Sequence, residues 1–112
     1  MTVLERLKLE LANKEYFSDA EYTTFLQENN LNANDTYNKS TMQRDLLYTV
    51  VDILEAVAND VDLMRKVETE FATTSEAIKY LNDRIERIKN RIATIPGSDE
   101  EYSNVALLFY KN

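Results

Sequence analysis

The most regular hydrophobic pattern in the chain lies between Ser40 and Phe71. Apolar residues recur there at alternating steps of three and four, interrupted once at Glu68. The series is Leu47, Val50, Leu54, Val57, Val61, Met64 and Phe71. Such steps place side chains along one stripe of an α-helix, and the alternation is typical of a helix packed almost parallel to its neighbours. We call these residues the apolar seam and expect the rest of the chain to pack on it.

An unbroken helix over residues 40–72 is too long for a small domain. It would extend about 50 Å, whereas a compact domain of this length has a diameter of about 35 Å. Asn59 and Asp60 are the poorest helix formers in the middle of the stretch. The helix is therefore expected either to bend at these two residues or to project beyond its own domain.

A second helical pattern covers residues 74–95, and Pro96-Gly97 ends it. Its apolar residues, again at steps of three or four, are Ile78, Leu81, Ile85, Ile88, Ile92 and Ile95. A basic face with the same kind of spacing consists of Arg84, Arg87 and Arg91. Two interpretations of this face are open: it is solvated, or it contacts an acidic face of a neighbouring copy.

Four helix starts are marked by a Ser or Thr followed three residues later by Glu or Gln, the pattern of an N-terminal capping box. The pairs are Thr2/Glu5, Ser18/Glu21, Ser40/Gln43 and Thr73/Glu76. The first two predict shorter helices over Val3–Asn13 and Asp19–Asn29. Phe17 and Tyr22 occupy the positions of a hydrophobic staple around the second start. A loop rich in Asn is expected over residues 31–39.

The sequence after Pro96-Gly97 has a different character. Residues 98–101 are mostly acidic, and Val105–Tyr110 is an uninterrupted apolar run. Six apolar residues left in water would be prone to aggregation, so we expect this run to be covered. Two interpretations have equal weight: the run folds back on the chain's own core, or it docks on a neighbouring chain as an added strand.

Together these patterns predict an all-α fold. We expect a four-helix bundle-like domain over residues 1–97, with one long central helix, and an extended apolar C-terminal docking tail over residues 98–112. A chain of 112 residues is long enough to bury one core without a disulfide or a structural metal. The candidate partner-binding residues are Arg84, Arg87, Arg91, Val105, Leu107, Leu108, Phe109 and Tyr110.

Composition argues against catalysis. The chain has no His and no Cys, so it lacks an imidazole base and a thiol nucleophile. With one Gly it is poorly suited to loops that cradle phosphate. Acidic residues of the long helix are interpreted as a solvated face and not as a metal site: Asp52, Glu55, Asp60 and Asp62. We expect no enzymatic activity, no cofactor and no metal.

Charge and hydropathy constrain the partners. The formal net charge is −7, which disfavours tight binding to a phosphate backbone. Residues 73–95 carry five basic and three acidic side chains, a net +2, so the rest of the chain sums to −9. Head-to-tail packing of copies into a ring would bring these opposite charges together. No apolar run approaches the roughly 20 residues that a membrane span needs.

The layout resembles the small helical head–tail connector, or adaptor, proteins of tailed bacteriophages. The segments that are similar are Val3–Lys8, Phe17–Tyr22, Leu46–Ala56, Arg84–Ile88 and the apolar run Val105–Tyr110. The resemblance implies a structural protein that forms a homo-oligomeric ring between the portal and the tail or stopper proteins. DNA would pass through the ring without specific binding, and no membrane would be involved. The protein would be made in the bacterial host cytoplasm and lie in the neck of the virion.

The alternative function is that of a small intracellular helical adaptor or regulator. Such a protein would bind one protein partner through the apolar seam, in a defined dimer or a one-to-one complex. The two functions differ in what residues 103–112 do. Deleting them should leave a seam-bound complex intact, whereas a ring that needs the apolar run should fail to assemble.

Overall fold

The computed structural model describes residues 1–96, which form five α-helices and no β-strand. The helices are α1 (Val3–Glu10), α2 (Asp19–Glu28), α3 (Lys39–Ala58), α4 (Val61–Glu68) and α5 (Thr74–Thr94). The predicted all-α class is confirmed. The four-helix arrangement with one long central helix is not, because the predicted long helix is divided into α3 and α4. The docking tail predicted over residues 98–112 lies outside the described residues.

The long helix breaks at the two residues that the sequence marked as weakest. Asn59 is the C-terminal cap of α3, and Asp60 has an extended backbone (φ −118°, ψ 123°) that caps α4. The Asp60 carboxylate accepts a hydrogen bond from the Leu63 amide at 2.9 Å, which satisfies one of the free N–H groups at the start of α4. The bend is therefore the option that occurs, and the helix does not project from its domain.

The break also changes which residues of the apolar seam are buried. Leu47, Val50, Leu54 and Val57, all on α3, are buried as predicted. Val61 is 70% exposed, and Val67 is buried instead. Because the extended Asp60 interrupts the helix, the side chains of α4 are rotated relative to those of α3. The spacing of apolar residues counted across the break therefore no longer predicts which side chains of α4 are buried. The prediction that Val61 belongs to the seam was wrong.

Helix α3 is the centre of the fold and packs against each of the other four helices. Its buried residues surround most of the helix instead of following one stripe: Leu46, Leu47, Thr49, Val50, Val51, Ile53, Leu54 and Val57. Thr49 is the one buried polar residue in the described core, and its hydroxyl donates to the Asp45 carbonyl at 2.8 Å. No buried hydroxyl is left unsatisfied there, so α3 can be enclosed on several sides.

Helix α5 runs antiparallel along α3. At the C-terminus of α5 the Ile95 carbonyl accepts from the Arg44 guanidinium, near the start of α3, at 3.0 Å. Lys89, earlier in α5, pairs with Glu55, later in α3, at 3.2 Å. Its buried residues are Ala77, Leu81, Ile85, Ile88 and Ile92. The predicted face was wrong at its first position, because Ala77 is buried there and Ile78 is 46% exposed.

Two of the four predicted capping boxes form as expected. At Thr2 and at Ser18 the hydroxyl accepts from the amide three residues on, and the Glu carboxylate accepts from the cap amide. The Ser40/Gln43 box was wrong, because Asn38 caps α3 and accepts from the Ser40 amide at 3.0 Å. Thr73 caps α5, but Glu76 accepts from the Ala72 amide and not from Thr73.

Loops between the helices close without glycine. Helix α1 ends at Glu10, three residues before the predicted end, because Ala12 and Asn13 adopt left-handed φ values of 57° and 59°. The Asn-rich loop after α2 pairs with the N-terminus: the Val3 amide donates to the Asp35 carbonyl, and the Tyr37 amide donates to the Met1 carbonyl, each at 2.9 Å. These bonds hold the loop against the start of α1.

Candidate functional site

The predicted basic face of α5 divides into two parts. Arg84 and Arg91 turn toward Glu10 of α1, with guanidinium-to-carboxylate distances of 3.8 and 3.9 Å. Arg6 approaches the same carboxylate at 3.0 Å, so three guanidinium groups surround Glu10. Arg87 is exposed and makes no ion pair with any of residues 1–96. The other predicted partner-binding residues, Val105, Leu107, Leu108, Phe109 and Tyr110, lie outside the described residues.

The acidic residues of the former long helix do not converge. Asp52 accepts from the Asn29 side chain at 3.0 Å, Glu55 pairs with Lys89, Asp60 caps α4, and Asp62 lies 3.7 Å from Arg65. Within residues 1–96 no group of three or more Asp, Glu, His or Cys side chains is arranged to hold a metal ion. In the same residues no helix combines the length and apolar character required to cross a membrane.

A concave surface lies between the start of α2 and the end of α1. It has a volume of about 620 Å³ and is lined by both acidic and basic side chains. Lys8 pairs there with Asp19 at 2.7 Å, and nearby Lys14 pairs with Glu70. Since these cations are already neutralised by carboxylates of the same chain, the cavity offers no concentrated charge to a ligand.

The perturbed titratable groups each have a structural cause. Hydrogen bonds from cap residues lower the pKa of Glu5 and of Glu21. Burial raises the pKa of Asp45, and Arg44 opposes that shift. Burial also raises the pKa of Tyr16 to about 12. Tyr16 and Glu21 line the same cavity, whereas Glu5 and Asp45 do not, and no hydrogen bond within the described residues joins any two of these four groups into an acid–base pair.

A groove lined by both apolar and polar side chains remains open where the α3–α4 corner meets α5. Two adjoining cavities of about 240 and 300 Å³ share Ala58, Asn59, Met64 and Glu68 as lining residues. Val61 borders the first cavity and Ile78 the second. We call this surface the corner groove and define it by six residues: Ala58, Val61, Met64, Glu68, Ile78 and Leu81. Leu81 is buried and forms part of its floor, whereas Val61 and Ile78 are exposed.

The corner groove results from the helix break. Asp60 caps α4, so Val61 takes the first helical position, with its side chain directed to solvent. Ala77 is small and fully buried at the start of α5, which leaves Ile78 at the edge of the packed face. Sequence reasoning missed the groove because it placed both Val61 and Ile78 in the core. The available signal was the Asn59-Asp60 pair, which indicated that the period should be restarted after it.

Comparisons of the chain with protein-family models, with curated proteins and with solved structures each returned no match. The likeness to head–tail connectors therefore remains an expectation drawn from the sequence pattern. What the chain does has to be argued from the surfaces that the fold exposes.

Proposed function

We propose that this chain is a non-enzymatic structural protein of a tailed bacteriophage particle, a head–tail connector or adaptor that forms a ring between portal and tail. The proposal rests on the corner groove. Val61 and Ile78 are two of the large apolar side chains that remain exposed within residues 1–96, and they border adjoining cavities. Apolar side chains exposed beside a concave surface support a site for a protein partner.

Charge supports a role in which DNA passes without being held. The net charge of −7 is spread over several helices, and the basic residues Arg84 and Arg91 are paired within the chain. A ring lined with carboxylates repels the phosphate backbone, so a genome could slide through its channel. Arg87 remains as an exposed cation that an acidic face of a neighbouring copy would attract.

The sequence suggested that a projecting helix and an exposed apolar seam would need neighbouring copies to cover them, and the fold changes both expectations. The long helix bends, so it does not project and needs no neighbour to cover it. The buried part of the apolar seam, including Leu47, Val50 and Leu54, is enclosed by the chain's own helices. An adaptor that recognises its partner through the buried part of the seam would have to unfold this core, so the alternative function keeps only the seam residues at the corner groove, Val61 and Met64. The corner groove is what remains for association.

The oligomeric state of the full-length chain tests the proposal. Native mass spectrometry and light scattering should show a closed oligomer, either for the chain alone or after mixing with a portal protein from the same genome. Electron microscopy of the oligomer should show rings. A chain that is monomeric at all concentrations, with and without the portal, overturns the proposal. A defined dimer or a one-to-one complex with an unrelated protein would instead support the adaptor alternative.

The genes next to this one provide an independent check. A structural protein of the neck is expected beside genes for a portal, a major capsid protein and a tail tube. A location among unrelated metabolic genes would contradict the proposal. This check needs no protein, so it can precede the purification.

A further inference from the structure

We propose that the corner groove of one copy receives the apolar segment Val105–Tyr110 of a second copy. The inference rests on the self-association included in the proposed function, and it names the two surfaces that meet. It joins two observations on the same chain. The first is that the fold leaves Val61 and Ile78 exposed at a concave corner. The second is that the sequence contains the apolar run Val105–Tyr110, which has to be covered by some surface.

The groove suits an apolar occupant. Its floor includes the buried Leu81, its sides include Met64, and Val61 and Ile78 stand at its rim, 70% and 46% exposed. Every apolar side chain that covers Val61 or Ile78 removes hydrocarbon from water, and so does the part of the occupant that is buried. A polar segment would gain none of this stabilisation.

Length favours the groove of a second copy over the groove of the same chain. The Ile95 carbonyl is held by Arg44, so the chain leaves α5 beside the N-terminal half of α3. Ile78 lies 17 residues back along α5, a distance of about 26 Å. The ten residue steps from Ile95 to Val105 span at most about 33–36 Å when fully extended. Docking in the chain's own groove would require this linker to run back along α5 at about three quarters of its full extension, whereas a neighbouring copy can present its groove at any distance.

Charge at the groove rim is complementary to the residue that follows the apolar segment. Glu68 lines both cavities and makes no ion pair with any of residues 1–96, whereas Arg65, a cation that lines the first cavity, lies 3.7 Å from Asp62. Lys111 comes directly after Tyr110 in the sequence. A lysine at that position can approach the Glu68 carboxylate when the apolar segment fills the groove, which would help to fix the direction of docking.

The absence of cysteine from the chain allows a direct cross-linking test. Two full-length single variants, Ile78→Cys and Leu108→Cys, are mixed and oxidised mildly. If the segment of one copy occupies the groove of another, a disulfide should join the two different variants. Leu9→Cys replaces Ile78→Cys in the matched control, since Leu9 is 52% exposed on α1 and lies outside the groove. Little cross-linked product is expected from the control mixture.

The double variant Ile78→Cys/Leu108→Cys separates the two sources of the segment. Docking between copies predicts disulfide-linked multimers, whereas docking within one chain predicts a monomer with an internal disulfide. An internal disulfide alone, or cross-linking no stronger than with Leu9→Cys, overturns the inference. Light scattering separates this failure from failure of the proposed function. Oligomers without the cross-link contradict only the docking inference, and a chain that stays monomeric contradicts both.

A second measurement uses charge to block the groove. The double variant Val61→Lys/Ile78→Lys should raise the dissociation constant for self-association about tenfold or more, because two apolar contacts are lost. Leu9→Lys adds one charge at an exposed apolar position elsewhere and should change that constant by less than about twofold. Circular dichroism verifies that each variant is folded. Equal effects of the groove and control variants would overturn the inference.

Discussion

The hydroxyl of Tyr22 donates a hydrogen bond to the backbone carbonyl of Lys14 at 2.9 Å, eight residues earlier in the chain. The same oxygen accepts from the amides of Tyr16 and Phe17 at 3.2 and 3.4 Å. Tyr22 is 1% exposed, and the Phe17 ring meets its ring edge-on at 6.1 Å. One buried side chain on α2 therefore holds the loop that connects it to α1.

We expect Tyr22→Phe to lower the free energy of unfolding by about 1–3 kcal/mol, because the ring stays buried while two amides and one carbonyl lose a partner. Urea denaturation measures the change. Tyr48→Phe is the matched control, since Tyr48 is 41% exposed and its hydroxyl makes no hydrogen bond within residues 1–96. The control should stay within about 0.5 kcal/mol of the wild type. Equal losses in the two variants would show that the hydroxyl does not hold the loop.

The contacts of Tyr22 show which parts of the fold local sequence patterns can predict and which they cannot. The staple spacing predicted that Phe17 and Tyr22 would meet, and their rings do. The capping pattern likewise predicted the starts of α1 and α2, because such signals involve residues within one helical turn. The hydrogen bonds of the Tyr22 hydroxyl depend on the path of the preceding loop, with left-handed Ala12 and Asn13, and no local pattern specified that path.

The corner groove is a feature that the sequence pattern did not predict. Burial of Leu47, Val50 and Leu54 followed from their period, because α3 is continuous through them. Exposure of Val61 and Ile78 depended on how α4 and α5 rotate after each break, which is a property of tertiary packing. The candidate site therefore arises where the periodic pattern fails, and the pattern alone would have placed it in the core.

The three guanidinium groups around Glu10 predict a second effect. The Glu10 side chain is 15% exposed and is shared by Arg6, Arg84 and Arg91. In Glu10→Gln the three cations lose their common counter-charge while the shape is kept. We expect unfolding to become easier by about 1–2 kcal/mol at low salt, and less at high salt because repulsion among the cations is screened.

Asp83→Asn provides the control for Glu10→Gln. Asp83 pairs with Lys79 at 2.6 Å on the exposed side of α5, and an isolated surface pair of this kind contributes at most about 0.5 kcal/mol. Urea denaturation of both variants at low and high salt gives the comparison. If Glu10→Gln were as mild as Asp83→Asn, the cluster would contribute no more than an ordinary surface pair.

The helix break can be tested at Asp60. Asp60→Ala removes the oxygen that accepts from the Leu63 amide and should lower the free energy of unfolding by about 0.5–2 kcal/mol. Asp60→Asn keeps a capping oxygen and should retain most of the stability. Hydrogen exchange of the α4 amides should quicken in the Ala variant more than in the Asn variant. If the two variants behaved alike, the negative charge and not the cap would be responsible.

The alkaline stability of the protein depends on Tyr16, whose pKa is raised to about 12, chiefly by burial and next by the neighbouring Tyr80. An unfolded tyrosine ionises near pH 10. Between these values the unfolded chain loses the proton while the folded chain keeps it, so the contribution of neutral Tyr16 is complete below about pH 10 and declines as pH rises toward about 12. Tyr16→Phe keeps the ring and removes this dependence.

We therefore expect the urea midpoints of wild type and Tyr16→Phe to be similar near pH 7 and to diverge above about pH 10, with the variant losing less stability. Burial also raises the pKa of Tyr22 and of Tyr37, so part of the alkaline decline should remain in the variant. Tyr48→Phe, at an exposed position, should follow the wild-type curve. Because burial of Tyr16 is what separates the curves, coincident curves for wild type and Tyr16→Phe would mean that Tyr16 ionises as freely in the folded protein as in the unfolded chain.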